Sequence, residues 1–264
     1  MSQNILKACL AAALLFLWGS ASANKHNCPL ALVLAVDVSG SIDAYEYGIQ
    51  MRGLADAFRS EDIVHAIKLF GMSGIYVTAI HWSGDTQQFQ IMPWTRLSSR
   101  AGVYAFAAEL ERRPRTFDHF ATAIGEALGF ANSLFLKLPA LCHRRVIDVS
   151  GDGKSNEGWS PHLIRDAVVG GGVTINGLAI LASDPKLKSY YQRRIIGGDR
   201  SFVMSADLFE DYPKSIRRKL LREIMPGPVA TNEGRFEKTK QPVMAEDFDN
   251  NQSLSAAPSR ALYQ

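Results

Sequence analysis

The sequence has little cysteine, little net charge and no more than one long hydrophobic run. Each of these shortages argues against a class of protein. Its 264 residues include 3 cysteines, too few for a fold held together mainly by disulfides. The formal net charge is only +3, so no strongly basic surface for nucleic acid or an anionic membrane is expected. The 6 histidines are not spaced from cysteine or from one another as zinc ligands are.

The long hydrophobic run lies at the amino terminus, in residues 1–23. Lys7 precedes an apolar segment from Ala8 to Trp18, and the small residues Ala21-Ser22-Ala23 follow it. This is the pattern of a secretory signal peptide cleaved after Ala23. An uncleaved membrane anchor is the alternative, although the run is short for a permanent span. We therefore predict an exported protein, periplasmic or secreted, with no membrane segment after cleavage.

Beyond this leader, short aliphatic runs alternate with segments of helical periodicity. Strands are expected at 31–38, 74–83, 144–151, 173–181 and 201–206, and helices at 44–60, 98–112, 120–138, 160–170, 186–195 and 208–224. Residues 87–94 contain Pro93 and indicate an antiparallel edge strand. The alternation predicts an α/β fold with a doubly wound, mostly parallel sheet and helices on both faces.

The predicted domain covers residues 24–225. Residues 226–264 contain few apolar side chains and show no periodicity, so we predict a disordered polar tail there. Within the domain, the basic run Arg217-Arg218-Lys219 with Arg222 lies on a predicted amphipathic helix. We interpret it as a solvated helix face.

Short oxygen-bearing side chains collect at the ends of two predicted strands and at the start of a helix. The candidates are Asp37, Ser39 and Ser41 after the first strand, Thr122 before the helix, and Asp152 after strand 144–151. Ligands of doubly wound sheets bind at the carboxyl ends of the strands. Two carboxylates and three hydroxyls form an all-oxygen set that suits Mg²⁺, with Mn²⁺ or Ca²⁺ as other possibilities. Taken singly, Asp37, Ser39 or Ser41 could instead cap a helix.

The three segments together resemble a known site. "DVSGS" at 37–41, "TAIGEAL" at 122–128 and "SGDG" at 150–153 are similar, in order and in context, to the metal-ion-dependent adhesion site of von Willebrand factor A domains. The resemblance covers residues 29–224 and is strongest to an uncharacterised bacterial group of exported single-domain proteins that share "VIDVSGDG". It implies that Asp37, Ser39, Ser41, Thr122 and Asp152 are metal ligands, and all five positions are filled.

The resemblance also implies a function. In such domains one coordination position stays open for an acidic residue of a partner protein, which implies an adhesion-type, metal-dependent protein-binding module rather than an enzyme. A metal-dependent hydrolase acting on a phosphate or ester substrate is the alternative, because Mg²⁺ held by carboxylates also serves that chemistry. The sequence contains neither a G-x-S-x-G nucleophile motif nor a P-loop. A third possibility is an ion with a purely structural role.

The resemblance further implies a disulfide. Cys28 lies nine residues before Asp37, and Cys142 lies ten before Asp152. In the fold that the chain resembles, the two strands are adjacent and parallel, which would bring both cysteines to the end of the sheet opposite the metal. We therefore expect a Cys28–Cys142 bridge.

Several other polar residues near these segments leave alternatives open. Asp148 lies inside a predicted buried strand, where it could support the metal ligands or form a buried pair with an arginine. The polar residues near the loop tips are interpreted as ordinary solvated residues: Asp43, Asp118, Asn156 and Glu157.

Overall fold

The computed structural model describes residues 27–225. The predicted signal peptide (1–23) and polar tail (226–264) lie outside these residues. Within residues 27–225, no helix has both the length and the apolar character that crossing a membrane requires.

Six strands and seven helices alternate along the described part of the chain. The strands are β1 (Asn27–Asp37), β2 (Ile75–Trp82), β3 (Gln88–Leu97), β4 (Leu141–Gly151), β5 (Thr174–Ile180) and β6 (Val203–Ala206). The helices are α1 (Ala44–Arg59), α2 (Glu61–Lys68), α3 (Arg100–Glu111), α4 (Ile124–Leu134), α5 (Pro161–Gly170), α6 (Leu187–Arg194) and α7 (Tyr212–Ile224).

The strands form one sheet in the order β3-β2-β1-β4-β5-β6. All neighbouring pairs are parallel except β2–β3, so β3 is the expected antiparallel edge strand. After β1 the chain adds β2 and β3 on one side and then continues with β4 on the other. The carboxyl ends of β1 and β4 therefore lie side by side at the switch point, where α/β sheets bind ligands.

Alternate side chains of β1 enter two separate cores, because successive residues of a strand face opposite sides of the sheet. Leu32 and Leu34 pack in a core that includes side chains of α1, α2, α3 and α7. Val33 and Ala35 pack in the second core with side chains of α4, α5 and α6. This explains why β1 is almost continuously aliphatic: neither of its faces meets water.

The helix boundaries differ from the prediction chiefly in two places. The sequence predicts one helix over 44–60, whereas the chain bends at Ser60 (ψ 143°) and continues as α2. The short helix α2 buries Ile63, Val64 and Ile67 on one face, a pattern of helical spacing that the prediction missed. The helix predicted over 120–138 is limited to α4, followed by a 3₁₀ turn at Phe135–Lys137.

The edge strand β3 is irregular around Pro93. Its pairing with β2 shifts register between the pairs Val77–Thr95 and Ala79–Met92. Proline has no N–H to give to a strand ladder and is tolerated at edges and irregularities, which agrees with the expected edge position.

The predicted disulfide is present. Cys28 of β1 is paired in register with Cys142 of β4, and the two sulfurs are bonded with a Cα–Cα distance of 4.4 Å. The bridge lies at the amino ends of the two central strands. It therefore joins them at the end of the sheet opposite the switch point.

Candidate metal site at the carboxyl edge of the sheet

The first loop connects β1 to α1 and contains three of the five candidate ligands. Asp37 is the last residue of β1, and the side chains of Asp37 and Ser39 are fully buried. The backbone N–H of Ser39 donates a hydrogen bond of 2.8 Å to Asp37 Oδ1, which folds the loop back over the strand end. Ser41 is exposed at the top of this loop.

The helix that follows is capped by Asp43, not by a candidate ligand. Asp43 Oδ1 accepts a hydrogen bond from the backbone N–H of Glu46, and Glu46 Oε2 accepts one from the backbone N–H of Asp43, both at 2.8 Å. This reciprocal capping box satisfies the start of α1. The alternative of helix capping therefore does not account for Asp37, Ser39 or Ser41 at this helix.

The first loop and the loop after β4 meet through their candidate ligands. The Ser41 hydroxyl donates a hydrogen bond to Asp152 Oδ1 at 2.8 Å, and the hydroxyl oxygens of Ser39 and Ser41 lie 3.4 Å apart. Asp152 is almost fully buried, with 4% of its surface exposed. Four of the five predicted residues, Asp37, Ser39, Ser41 and Asp152, are thus brought into one cluster.

Thr122 lies beside the same cluster, across Gly153. A Cβ placed on Gly153 would lie 3.7 Å from Thr122 Oγ1, so the hydroxyl is adjacent to the residue that follows Asp152. The position of Thr122 is fixed by Asn156, whose Oδ1 accepts from the Thr122 N–H and whose own N–H donates to the Thr122 carbonyl, both at 2.9 Å. Asn156 is therefore more than an ordinary solvated residue, because it joins the second and third loops.

Arg115 is a site residue that the sequence prediction missed. Its guanidinium Nη2 donates to the carbonyl oxygens of Val38 and Ser39, each at 2.9 Å. A further backbone hydrogen bond of 2.8 Å, from Gly40 to Phe120, ties the first loop to the second. Arg115 stands in a segment without regular structure, and no motif in the sequence marks it.

The pKa values of both carboxyl groups of the cluster are raised above their ordinary range. Burial, the larger effect, and the nearby charge of Asp152 raise the pKa of Asp37 to about 7, although hydrogen bonds from Ser39 and the charge of Arg115 act in the other direction. Burial also raises the pKa of Asp152. A cation held between them would favour the ionised form of both groups.

Two polar atoms at the cluster have no hydrogen-bond partner within the described residues. They are Asp37 Oδ2 and the hydroxyl of Tyr191, a fully buried residue of α6. Both border Gly151: a Cβ on this residue would lie 2.6 Å from Asp37 Oδ2 and 2.9 Å from the Tyr191 hydroxyl. Buried polar groups are normally satisfied, so these two atoms indicate a place for a bound ion or water.

The residues present therefore fit a divalent cation that prefers oxygen ligands. Residues 27–225 contain no group of three or more histidine, cysteine or acidic side chains placed to hold a metal. The cluster instead combines two carboxylates with serine and threonine hydroxyls, which suits a hard cation such as Mg²⁺ better than a thiolate-binding metal.

Asp148 takes no part in the metal cluster but forms a buried ion pair. Its Oδ1 lies 2.6 Å from Lys219 Nζ of α7, and Lys219 also lies 2.8 Å from Glu223 Oε1. The partner is thus a lysine, not the arginine that the sequence analysis considered. The interpretation of residues 217–219 as a solvated face is wrong for Lys219, which is fully buried, while Arg217 and Arg218 are exposed.

Comparison with known proteins identifies the family. Residues 27–228 match the family described as protein of unknown function DUF1194. The chain belongs to this family. Among curated proteins, no sequence matches that of this DUF1194 protein.

Solved structures share the fold at low sequence identity. One is proximal thread matrix protein 1 from the mussel byssus, described with zinc in its metal-ion-dependent adhesion site (MIDAS) motif. It is 17% identical, with a TM-score of 0.56, over 74% of this chain and 45% of that one. A von Willebrand factor type A protein from Catenulispora acidiphila is 15% identical, with a TM-score of 0.51, over 75% and 43%. The pilus adhesin SpaC from Lactobacillus rhamnosus GG is 14% identical, with a TM-score of 0.54, over 75% and 30%.

The DUF1194 chain spans less than half the length of these three structures. The similarity shows that residues 27–225 have the von Willebrand factor A fold, as the sequence resemblance implied.

Proposed function

We propose that this DUF1194 protein is an exported binding module that holds a divalent cation, with Mg²⁺ as the first candidate. Through this cation it binds an acidic residue of a partner protein. The observation that carries this proposal is the convergence of Asp37, Ser39, Ser41 and Asp152 in one cluster, where Asp37 also has a buried carboxylate oxygen without a partner. Zinc in the MIDAS motif of the mussel byssus protein and the adhesin role of SpaC support the same interpretation.

Each residue of the cluster has a distinct part in this proposal. The carboxylates of Asp37 and Asp152 supply the negative charge, and the hydroxyls of Ser39, Ser41 and Thr122 supply neutral oxygens. A bound cation would attract the carboxylate of a partner at the position that the chain leaves open. Arg115 and Asn156 hold the three loops in place through hydrogen bonds to backbone atoms. These ligands therefore remain together in the absence of the cation.

Export is part of the same proposal. The signal-like residues 1–23 predict it, and the Cys28–Cys142 disulfide agrees with an oxidising compartment. The periplasm and the extracellular space satisfy these features equally.

The proposal is tested by isothermal titration of the protein with Mg²⁺, Mn²⁺ and Ca²⁺. We expect saturable binding that is lost in Asp37→Asn and in Asp152→Asn. Asp43→Asn is the matched control, because it changes an acid of the same loop that caps α1. Equal binding by the wild type and both site variants would refute the metal site.

The same variants separate binding from catalysis. Hydrolysis of p-nitrophenyl phosphate or p-nitrophenyl acetate that depends on Mg²⁺ and is lost in Asp37→Asn would replace the binding module by the hydrolase. No such turnover is expected.

A further inference from the structure

A polar cavity of about 630 Å³ lies beside the candidate metal site. It is lined by residues 155–162, in the loop after β4 and the first turn of α5, and by Tyr190 and Arg194 of α6. The cavity begins three residues after Asp152, and Asn156 at its edge is the residue that hydrogen bonds to Thr122 in both directions. Asn156 therefore connects the cavity to the loop that contains Thr122.

The cavity contains a cation that the described chain does not neutralise. Arg194 is exposed, and its Nη1 lies 3.2 Å from His162 Nδ1. Within residues 27–225 its guanidinium pairs with no carboxylate, and among the residues that line the cavity it is the one arginine. An arginine with an open guanidinium in a concave site is suited to bind a carboxylate in bidentate geometry.

Among the described residues, Glu157 is the one acidic residue that lines this cavity, and its carboxylate is hydrogen-bonded. Glu157 Oε2 accepts a hydrogen bond of 2.9 Å from the backbone N–H of Asp85, in the turn between β2 and β3. Because it is bound to that turn, it serves the packing of the loop. The carboxylate of Glu157 therefore lies against that turn, and Arg194 is the positive charge that the cavity offers to a ligand.

An exposed tryptophan gives the cavity an apolar wall. Trp159 has 67% of its surface exposed, yet its backbone N–H is held by Glu126 Oε1 of α4 at 2.6 Å. A large aromatic side chain on a fixed backbone is typical of residues that contribute most to protein–protein binding. On the wall of this cavity, the exposed ring offers a partner an apolar surface to cover.

We propose that this cavity binds a second acidic side chain of the same partner segment whose first acidic residue approaches the metal. The occupant is an acidic polypeptide segment with two carboxylates: one directed to the metal site and one paired with Arg194, with the chain between them packed on Trp159. This inference rests on the proposed function and adds to it the chemistry of the partner. A partner with a single carboxylate, placed at the metal, would make no contact with Arg194.

The test uses a phage-displayed library of random dodecapeptides, selected on the immobilised protein in Mg²⁺ and eluted with acid, which releases metal-dependent and metal-independent binders alike. We expect the recovered peptides to share two acidic residues at a fixed spacing. A recovered peptide is then synthesised, and its affinity is measured for the wild type, Arg194→Gln and Arg193→Gln. Arg193 is the matched control, because it is an exposed neighbour that does not line the cavity.

Arg194→Gln should weaken the peptide by about tenfold, the value of one charge-assisted pair, while Arg193→Gln changes it less than about twofold. Changing the second acid of the peptide to its amide should weaken binding to the wild type but not to Arg194→Gln, since the two changes remove one interaction. The affinity for Mg²⁺ alone should be the same in all three proteins.

Two results would overturn the inference, and they differ. EDTA-dependent binding that is insensitive to Arg194, or peptides that share a single acid, would refute the second contact while leaving the proposed function intact. Peptide binding that EDTA does not abolish in any variant would refute the proposed function itself, and the inference with it.

Discussion

Ser41 and Asp152, which are 111 positions apart in the sequence, are joined by a hydrogen bond of 2.8 Å from the serine hydroxyl to the carboxylate. This contact connects the loop after β1 to the loop after β4. It exists because the two strands are neighbours in the sheet, with Val36 paired to Ser150 close to their carboxyl ends.

Removing the Ser41 hydroxyl should weaken metal binding without disturbing the fold. Ser41→Ala deletes a proposed ligand and the contact to Asp152, but Ser41 is exposed and its loss leaves no cavity. We expect the Mg²⁺ affinity, measured by titration calorimetry, to fall by about tenfold or more. Ser133→Ala, at an exposed serine of α4, is the control. An unchanged affinity in Ser41→Ala would remove Ser41 from the ligand set.

A methyl group at Gly151 should displace Asp37. The added Cβ would lie 2.6 Å from Asp37 Oδ2, closer than a carbon and an oxygen can approach without a shift. Gly151→Ala should therefore lose most of its Mg²⁺ affinity in the same titration. Gly170→Ala is the matched control, because no atom lies within 4 Å of its added Cβ. Equal affinities of the two variants would contradict the close packing of Asp37 on Gly151.

Metal binding should depend on pH in a defined direction. Burial and the neighbouring Asp152 raise the pKa of Asp37 to about 7 in the metal-free protein, and a metal binds the ionised carboxylate. Below pH 7 protons compete with the metal, so the Mg²⁺ affinity should fall by up to about tenfold per pH unit. An affinity that stays constant on acidification from about pH 8 to 6 would contradict this competition.

The same pKa has a consequence for stability without metal. The folded protein keeps a proton on Asp37 that the unfolded chain loses near its ordinary pKa of 3.8. The contribution of Asp37 to the free energy of unfolding is therefore fully present below that value and decreases as the pH rises towards 7. Urea unfolding of Asp37→Asn should lack this part of the pH dependence, and saturating Mg²⁺ should offset it in the wild type.

Breaking the buried ion pair of α7 should destabilise the fold. Lys219→Met would leave Asp148 and Glu223 buried without a cation, and burial together with Asp148 already raises the pKa of Glu223. We expect a loss of about 3–5 kcal/mol in the free energy of unfolding, measured with urea. Arg218→Met, on the exposed side of the helix, should change it by less than about 0.5 kcal/mol.

The triple variant Asp148→Asn, Lys219→Met, Glu223→Gln provides a further control. Because it removes the charges together, it should recover part of the stability that Lys219→Met loses. A Lys219→Met protein as stable as the wild type would show that the pair contributes nothing.

Reduction of the Cys28–Cys142 bridge should lower stability by about 2–4 kcal/mol, since the bridge closes a long loop of the unfolded chain. The measurement is urea unfolding with and without dithiothreitol. The double variant Cys28→Ser, Cys142→Ser should resemble the reduced protein and should not respond to dithiothreitol. A double variant as stable as the oxidised wild type would contradict this contribution.

Much of the fold could be predicted because its signals are local. The aliphatic run before Asp37 and the alternation of strands with helices predict a buried parallel sheet, and the edge strand with Pro93 was recognised in the same way. Helix α2 was missed, although Ile63, Val64 and Ile67 have helical spacing, because it follows α1 after a single bent residue. The position of Lys219 could also have been found, since it shares a helix face with Ile216 and Glu223.

The sequence by itself determined the local chemistry: Asp37, Ser39 and Ser41 follow a buried strand, and Asp152 follows another. Only the tertiary structure decided which partners these residues meet. Arg115 on the first loop, Asn156 against Thr122, Tyr191 at Gly151 and Lys219 on Asp148 all join positions far apart in the chain. Periodicity reports which way a side chain points within its own element, whereas these contacts depend on which strands and helices become neighbours, and that is settled by the packing of the whole domain.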